Sequence, residues 1–116
     1  MDREIAEFGR LIGLENLALP AAGPLGLDIE RIGRLYLERN EGELLVYLAL
    51  PLPAYESRRL LSAFELVAYE NAPDFAWVPG VHDERLLLMS RLPLPAVQAA
   101  TLKRLMEFLL EISRQL

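Results

Sequence analysis

The chain has 116 residues, a net charge of −5, no cysteine and 53% hydrophobic residues, which is the size of one compact domain (residues 1–116) and too apolar for a disordered segment. Without cysteine there are no disulfides, thiolate nucleophiles or cysteine metal sites, and His82 is left as the sole nitrogen ligand, so no metal or cofactor is expected. Seventeen acidic residues against 12 basic ones lack the positive footprint of a nucleic-acid binder.

The opening Met1-Asp2-Arg3-Glu4-Ile5-Ala6-Glu7 is acidic and amphipathic rather than basic and then apolar, unlike a secretory signal, so the cytoplasm is the expected location. Residues 2–14 read as a helix, with Ile5, Phe8 and Ile12 at helical spacing and Asp2 and Glu4 complementing its positive end. Asn16, Pro20, Gly23, Pro24 and Gly26 make a loop, and residues 27–30 a short strand. Residues 34–39 and 43–50 flank Asn40-Glu41-Gly42 and read as a hairpin. The apolar stretch 44–54 is interrupted by two prolines and runs to about 11 residues where a membrane span needs ~20, so no membrane insertion is expected.

Residues 54–71 resume helical spacing, with Leu60, Leu61, Phe64, Val67 and Ala68 as the expected inner face, and Pro73 beyond the helix end. Residues 75–78 and 85–91 read as strands joined by a turn at Pro79-Gly80-Val81-His82-Asp83, and 96–115 as a closing helix bearing Leu102, Leu105, Leu109, Ile112 and Leu116. Leu50-Pro51-Leu52-Pro53-Ala54 recurs as Leu92-Pro93-Leu94-Pro95-Ala96, each time between strand and helix, where proline ends the one and fits the first turn of the other. The expected fold is α+β, a twisted antiparallel sheet packed with helices in the order α-β-β-β-α-β-β-α.

Catalytic signatures are weak. His82-Asp83-Glu84 could tune an imidazole, but its composition is that of a solvated turn. No serine lies in Gly-x-Ser-x-Gly, and Gly23-Pro24-Leu25-Gly26 lacks the lysine of a phosphate loop. What exceeds background is apolar surface. Residues 54–71 carry a second stripe, Tyr55, Ser62, Leu66 and Tyr69, opposite Leu61, Phe64 and Ala68. Strand 44–50 is apolar on both faces, Leu44, Val46, Leu48 and Leu50 on one and Leu45, Tyr47 and Ala49 on the other. A helix or strand apolar on two sides needs two partners, so this surplus points to another chain.

The opening helix Ile5-Ala6-Glu7-Phe8-Gly9-Arg10-Leu11-Ile12, the hairpin 34–51 and the strand–proline–helix unit 86–110 together resemble the class I chaperones of bacterial type III secretion, the Tir-chaperone-like family. The resemblance implies a cytoplasmic, ATP-independent, non-enzymatic dimer that binds the N-terminal segment of a secreted effector or secretion-apparatus protein and keeps it soluble and export-competent. It implies a two-fold interface on the central helix and neighbouring strands, here Tyr55, Ser62, Leu66, Tyr69 and Trp77, formed with itself or with a related chaperone. It further implies that Phe8, Leu11 and Ile12 of the opening helix and Leu35, Leu37, Leu45 and Tyr47 of the hairpin contact the secreted segment, by strand addition and apolar pockets. Two other classes compete: a structural or regulatory α+β dimer would have no groove near Phe8 and Ile12, and a small ferredoxin-like enzyme would need a polar pocket lined by His82, Asp83 and Glu84.

Overall fold

The computed structural model describes residues 1–53, 56–69 and 74–116. Helix α1 spans Asp2–Leu11 and ends three residues before the expected Leu14. Gly13 is the reason: it takes φ +88°, the Leu14 amide donates to the Gly9 carbonyl at 2.7 Å and the Gly13 amide to the Arg10 carbonyl at 3.2 Å. These paired bonds satisfy carbonyls that the last turn would leave open.

Strands β1 (Leu25–Ile29), β2 (Gly33–Asn40) and β3 (Glu43–Pro51) follow, then α2 (Ser57–Tyr69), β4 (Val78–His82), β5 (Arg85–Pro93), a 3-10 turn at Leu94–Ala96 and α3 (Ala99–Arg114). The order matches the expected α-β-β-β-α-β-β-α. The β2–β3 hairpin turns on Glu41 and Gly42, both left-handed at φ 38° and 79°, the two-residue geometry that suits twisted strands. The described strands form one antiparallel sheet, β1-β2-β3-β5-β4. The connection through α2 therefore carries the chain from β3 past β5 to the sheet edge.

At that edge the expected strand at 75–78 and turn at 79–83 are corrected. Val78–His82 is the strand, and the turn is Asp83-Glu84, with φ 49° and 58°. Pro79 is tolerated because β4 is an edge strand, where a missing amide leaves no central ladder broken.

Side chains alternate along strands, so one parity of each strand builds the core. Leu35 and Leu37, then Leu44, Val46, Leu48 and Leu50, then Leu86, Leu88 and Leu92 face Ile5 and Phe8 of α1 and Leu102, Leu105, Leu109 and Ile112 of α3. Each such burial stabilises by about 1.5–3 kcal/mol. Phe8, Leu35 and Leu37, expected to touch a partner, are at most 1% exposed and belong to this core; on β2 the parity that faces outward is Arg34, Tyr36 and Glu38.

Helix α2 is rotated from its expected orientation. Ala63 is buried, Leu60, Leu66 and Val67 pack partly against the core, and Leu61, Phe64 and Ala68 face outward. Leu60 and Val67 face inward as expected, whereas Leu61, Phe64 and Ala68 are turned out and Ser62 and Leu66 turned in. Leu66 and Ser62, expected at an interface, are half-buried against the chain's own body. Trp77, also expected there, is 4% exposed and part of the core. Tyr55 and the Tyr69 side chain lie outside the described residues. No described helix is long and apolar enough to cross a membrane.

Candidate partner-binding surfaces

The helices pack on one face of the sheet, and the opposite parity of β2, β3, β5 and β4 forms the other. Register places Tyr36, Tyr47, Met89 and Val78 on one rung, Arg34, Ala49, Leu87 and Gly80 on the next, and Glu38, Leu45 and Arg91 on the rung before. The result is a shallow groove of about 280 Å³ with Leu45, Ala49, Leu87 and Met89 as its floor, Glu38 at one end and His82, Asp83 and Arg85 at the other. Its lining comes from strands and one turn, with no helix residue among them.

The aromatic wall of the groove is held in place. Tyr36 and Tyr47 stack with ring centroids 5.1 Å apart and planes 20° from parallel. Arg85 donates to the Tyr36 hydroxyl at 3.2 Å, and the Tyr47 hydroxyl donates to Glu38 at 3.4 Å. Burial, and then the Glu38 carboxylate, push the Tyr47 phenol above its ordinary pKa, so it remains a neutral donor through the physiological range. Of the residues expected to bind a partner, Leu45 and Tyr47 fall on this face, together with Ala49, which the two-sided strand pattern places beside them; Leu87, Met89 and Tyr36 join them and were not anticipated. Their signal was present in strand 85–91, where Leu87 and Met89 alternate with the inward Leu86 and Leu88.

Two further apolar areas are open. Leu11 is 50% exposed and lies beside half-buried Ile12 at the end of α1. On α2, Leu61 and Phe64 are 59% and 49% exposed, and beside them Val81 is exposed on the helix side of β4, the strand that α2 packs against, while exposed Val78 belongs to the groove face. His82 sits at the rim, its Nε2 3.2 Å from an Asp83 carboxylate oxygen, both side chains largely in solvent. His82→Ala is expected to change the unfolding free energy by no more than about 0.5 kcal/mol in a denaturant titration, as for other exposed turn positions.

The fold is thus a five-stranded antiparallel sheet with one face built into a helical core and the other left open over an apolar floor. Solved structures share this architecture. The Yersinia pestis type III secretion chaperone SycH, in complex with a stable fragment of YscM2, superposes with a TM-score of 0.73 over 97% of this chain and 95% of that chain at 20% identity. A chain of the ExsC–ExsE complex gives 0.75 over 97% and 86% at 19% identity. The heterodimeric ExoU–SpcU complex from the type III secretion system of Pseudomonas aeruginosa gives 0.69 over 99% and 93% at 23% identity. No curated protein matches the chain by sequence. The family described as Type III secretory system chaperone SycN matches residues 1–116, and the chain belongs to that family, in agreement with the resemblance drawn from its helix, hairpin and strand–proline–helix unit.

Proposed function

We propose that the protein is an ATP-independent, non-enzymatic cytoplasmic chaperone that holds the N-terminal segment of a secreted effector or secretion-apparatus protein in a non-globular, export-competent form. The observation that carries this reading is the outer sheet face, whose apolar floor of Leu45, Tyr47, Ala49, Leu87 and Met89 has no helix over it. A groove of this kind takes apolar side chains of an extended chain, and the net charge of −5 keeps the loaded complex soluble. Leu11 and Ile12 at the end of α1 offer a second, separate apolar contact on the helix side of the sheet.

The structures it resembles support the reading by their partners: SycH is in complex with a fragment of YscM2, and SpcU forms a heterodimer with ExoU. The chaperone works as a dimer, with itself or with a related chaperone, through Leu61 and Phe64 of α2 and Val81 of β4, which are otherwise left in water.

The test is co-purification of the partner from cells expressing both proteins. Combining Leu45→Ser with Tyr47→Ser is expected to lower capture at least about tenfold, from the loss of roughly 1.5–3 kcal/mol of apolar contact per fully covered side chain. The fold should survive, since both side chains point away from the helical core. Unaltered capture by a folded double variant, checked by circular dichroism, would remove the groove from the binding reaction.

A further inference from the structure

The charges along the outer sheet face are unevenly spent. Arg34 pairs with Asp28 at 2.9 Å, and Arg91, on the same rung as Glu38 but on the far side of β3 from it, pairs with Glu43 at 3.6 Å, so both guanidinium groups are engaged within the chain. At one end of the groove Asp83 of the turn lies against His82, and Arg85, the first residue of β5, lines the same end. At the other end Glu38 has a phenol, that of Tyr47, as its partner, and among the described residues no cation is paired with it. The groove thus presents an apolar floor ending in a carboxylate that only a neutral donor satisfies. The upward push that Glu38 exerts on the Tyr47 phenol is the same negative potential felt by a neighbouring group.

The spacing of these features is that of an extended chain. Ala49, Tyr47 and Leu45 follow one another on β3 two residues apart, and Glu38 is directly across from Leu45. Each step is about 6.8 Å, so the Ala49–Leu87 rung and the Glu38 rung are separated by about 13–14 Å, the distance between residues i and i+4 of an extended occupant. Ala49 itself is only 3% exposed, so on its rung the half-buried Leu87 is the side chain that faces the open groove.

We propose that the groove selects an extended segment with apolar side chains at positions i and i+2 followed by a lysine or arginine at i+4, the apolar pair on Leu87 and Tyr47 of successive rungs and the cation on Glu38. The proposal rests on the reading that the outer face holds the secreted segment and adds the chemistry of that segment. A cation there adds an ion pair to a carboxylate that has only a phenol as donor, in a half-buried setting where the attraction is screened less than on open surface. An acidic residue at the same position would meet Glu38 directly.

The experiment uses the full chain and a fluorescein-labelled synthetic nonapeptide, serine throughout except for leucine at its third and fifth positions and lysine at its seventh, read by fluorescence anisotropy. A second peptide carries glutamate in place of the lysine. The wild-type protein is expected to bind the lysine peptide about five- to tenfold more tightly, a preference that weakens as salt is raised. Glu38→Gln, which keeps an acceptor for Tyr47, should abolish the preference, and Glu38→Lys should reverse it. Leu87→Glu should weaken both peptides alike. Equal affinity for the two peptides, still lost in Leu87→Glu, overturns the charge selection and leaves the groove as the binding face. A lysine preference that persists in Glu38→Gln and Glu38→Lys overturns the assignment to Glu38. Binding that Leu87→Glu does not change, or no binding of either peptide, overturns the proposal, and in the first case the groove reading falls with it.

Discussion

Leu61→Glu is expected to turn a dimer into a monomer while leaving the protomer folded. Leu61 points away from the body of the chain, half or more in solvent, with Phe64 one turn along on the same stripe and β4 beside it. Covering a leucine and a phenylalanine from each protomer contributes about 1.5–3 kcal/mol per side chain. A two-fold operator repeats every substitution, so one glutamate brings two unpaired charges into one apolar interface. Sedimentation equilibrium at micromolar concentration should give the dimer mass for the wild type and the monomer mass for the variant, with circular dichroism unchanged. Leu66→Glu provides the contrast. Its side chain packs partly against the chain's own core, so there the loss should appear in the melting temperature even at concentrations where only monomer is present. A wild type that sediments as a monomer on its own would assign the α2 stripe to a related chaperone instead of a second copy.

Gly33→Ala is expected to be the most destabilising small substitution in the sheet. A Cβ built on Gly33 would lie against the Ala49 carbonyl oxygen, with the Ala49 carbonyl carbon and Leu50 Cα next nearest. All three are backbone atoms of the central strand, so nothing can rotate aside, and β2 must move away from β3 at the start of their pairing. Overpacking against backbone costs about 1–3 kcal/mol, and a lost ladder bond adds about 1 kcal/mol. For a chain of this size the sum corresponds to a fall of about 10–15 °C in Tm. Gly80→Ala is the control, since no atom lies within 4 Å of its Cβ position and its φ is not in the left-handed region. That substitution should be neutral or stabilise by up to about 1 kcal/mol through the unfolded chain. Equal melting temperatures for the two variants would show that the β2–β3 approach at Gly33 is not tight.

The contrast between these two glycines is invisible in the sequence, where Gly33 follows Arg31-Ile32 and Gly80 follows Pro79, and neither setting reports what a Cβ would meet. Gly42 was legible because a glycine between two alternating runs has one economical geometry, a left-handed turn residue. Gly33 depends on a carbonyl sixteen residues away, and no local pattern reports that. The β4 boundary was misplaced for a related reason. Pro79-Gly80 has turn chemistry, yet at a sheet edge proline loses nothing by lacking an amide, and position in the sheet outweighs local preference. The candidate site was half legible: Leu45 and Tyr47 stood out from the two-sided strand, whereas Phe8, Leu35 and Leu37 were assigned to the partner although they fill the core.

The sequence by itself determined the element order, the hairpin around Glu41-Gly42, the proline ends of β3 and β5, the closing helix with its inward leucines, and the existence of two apolar stripes on α2 and two apolar faces on β3; that Pro95 sits in a separate 3-10 turn ahead of α3 it did not. Periodicity of 3.6 or 2 sets the angle between two such faces, and that angle is a property of the backbone alone. Which face turns inward is a different matter, because when both are apolar the burial gain is nearly the same either way. Only the tertiary structure decided it. With α1 and α3 seated over Leu35, Leu37, Val46 and Leu48, the opposite parity of β3 had to face outward as the groove, and with Ala63 packed into the core, Leu61 and Phe64 were left on the surface.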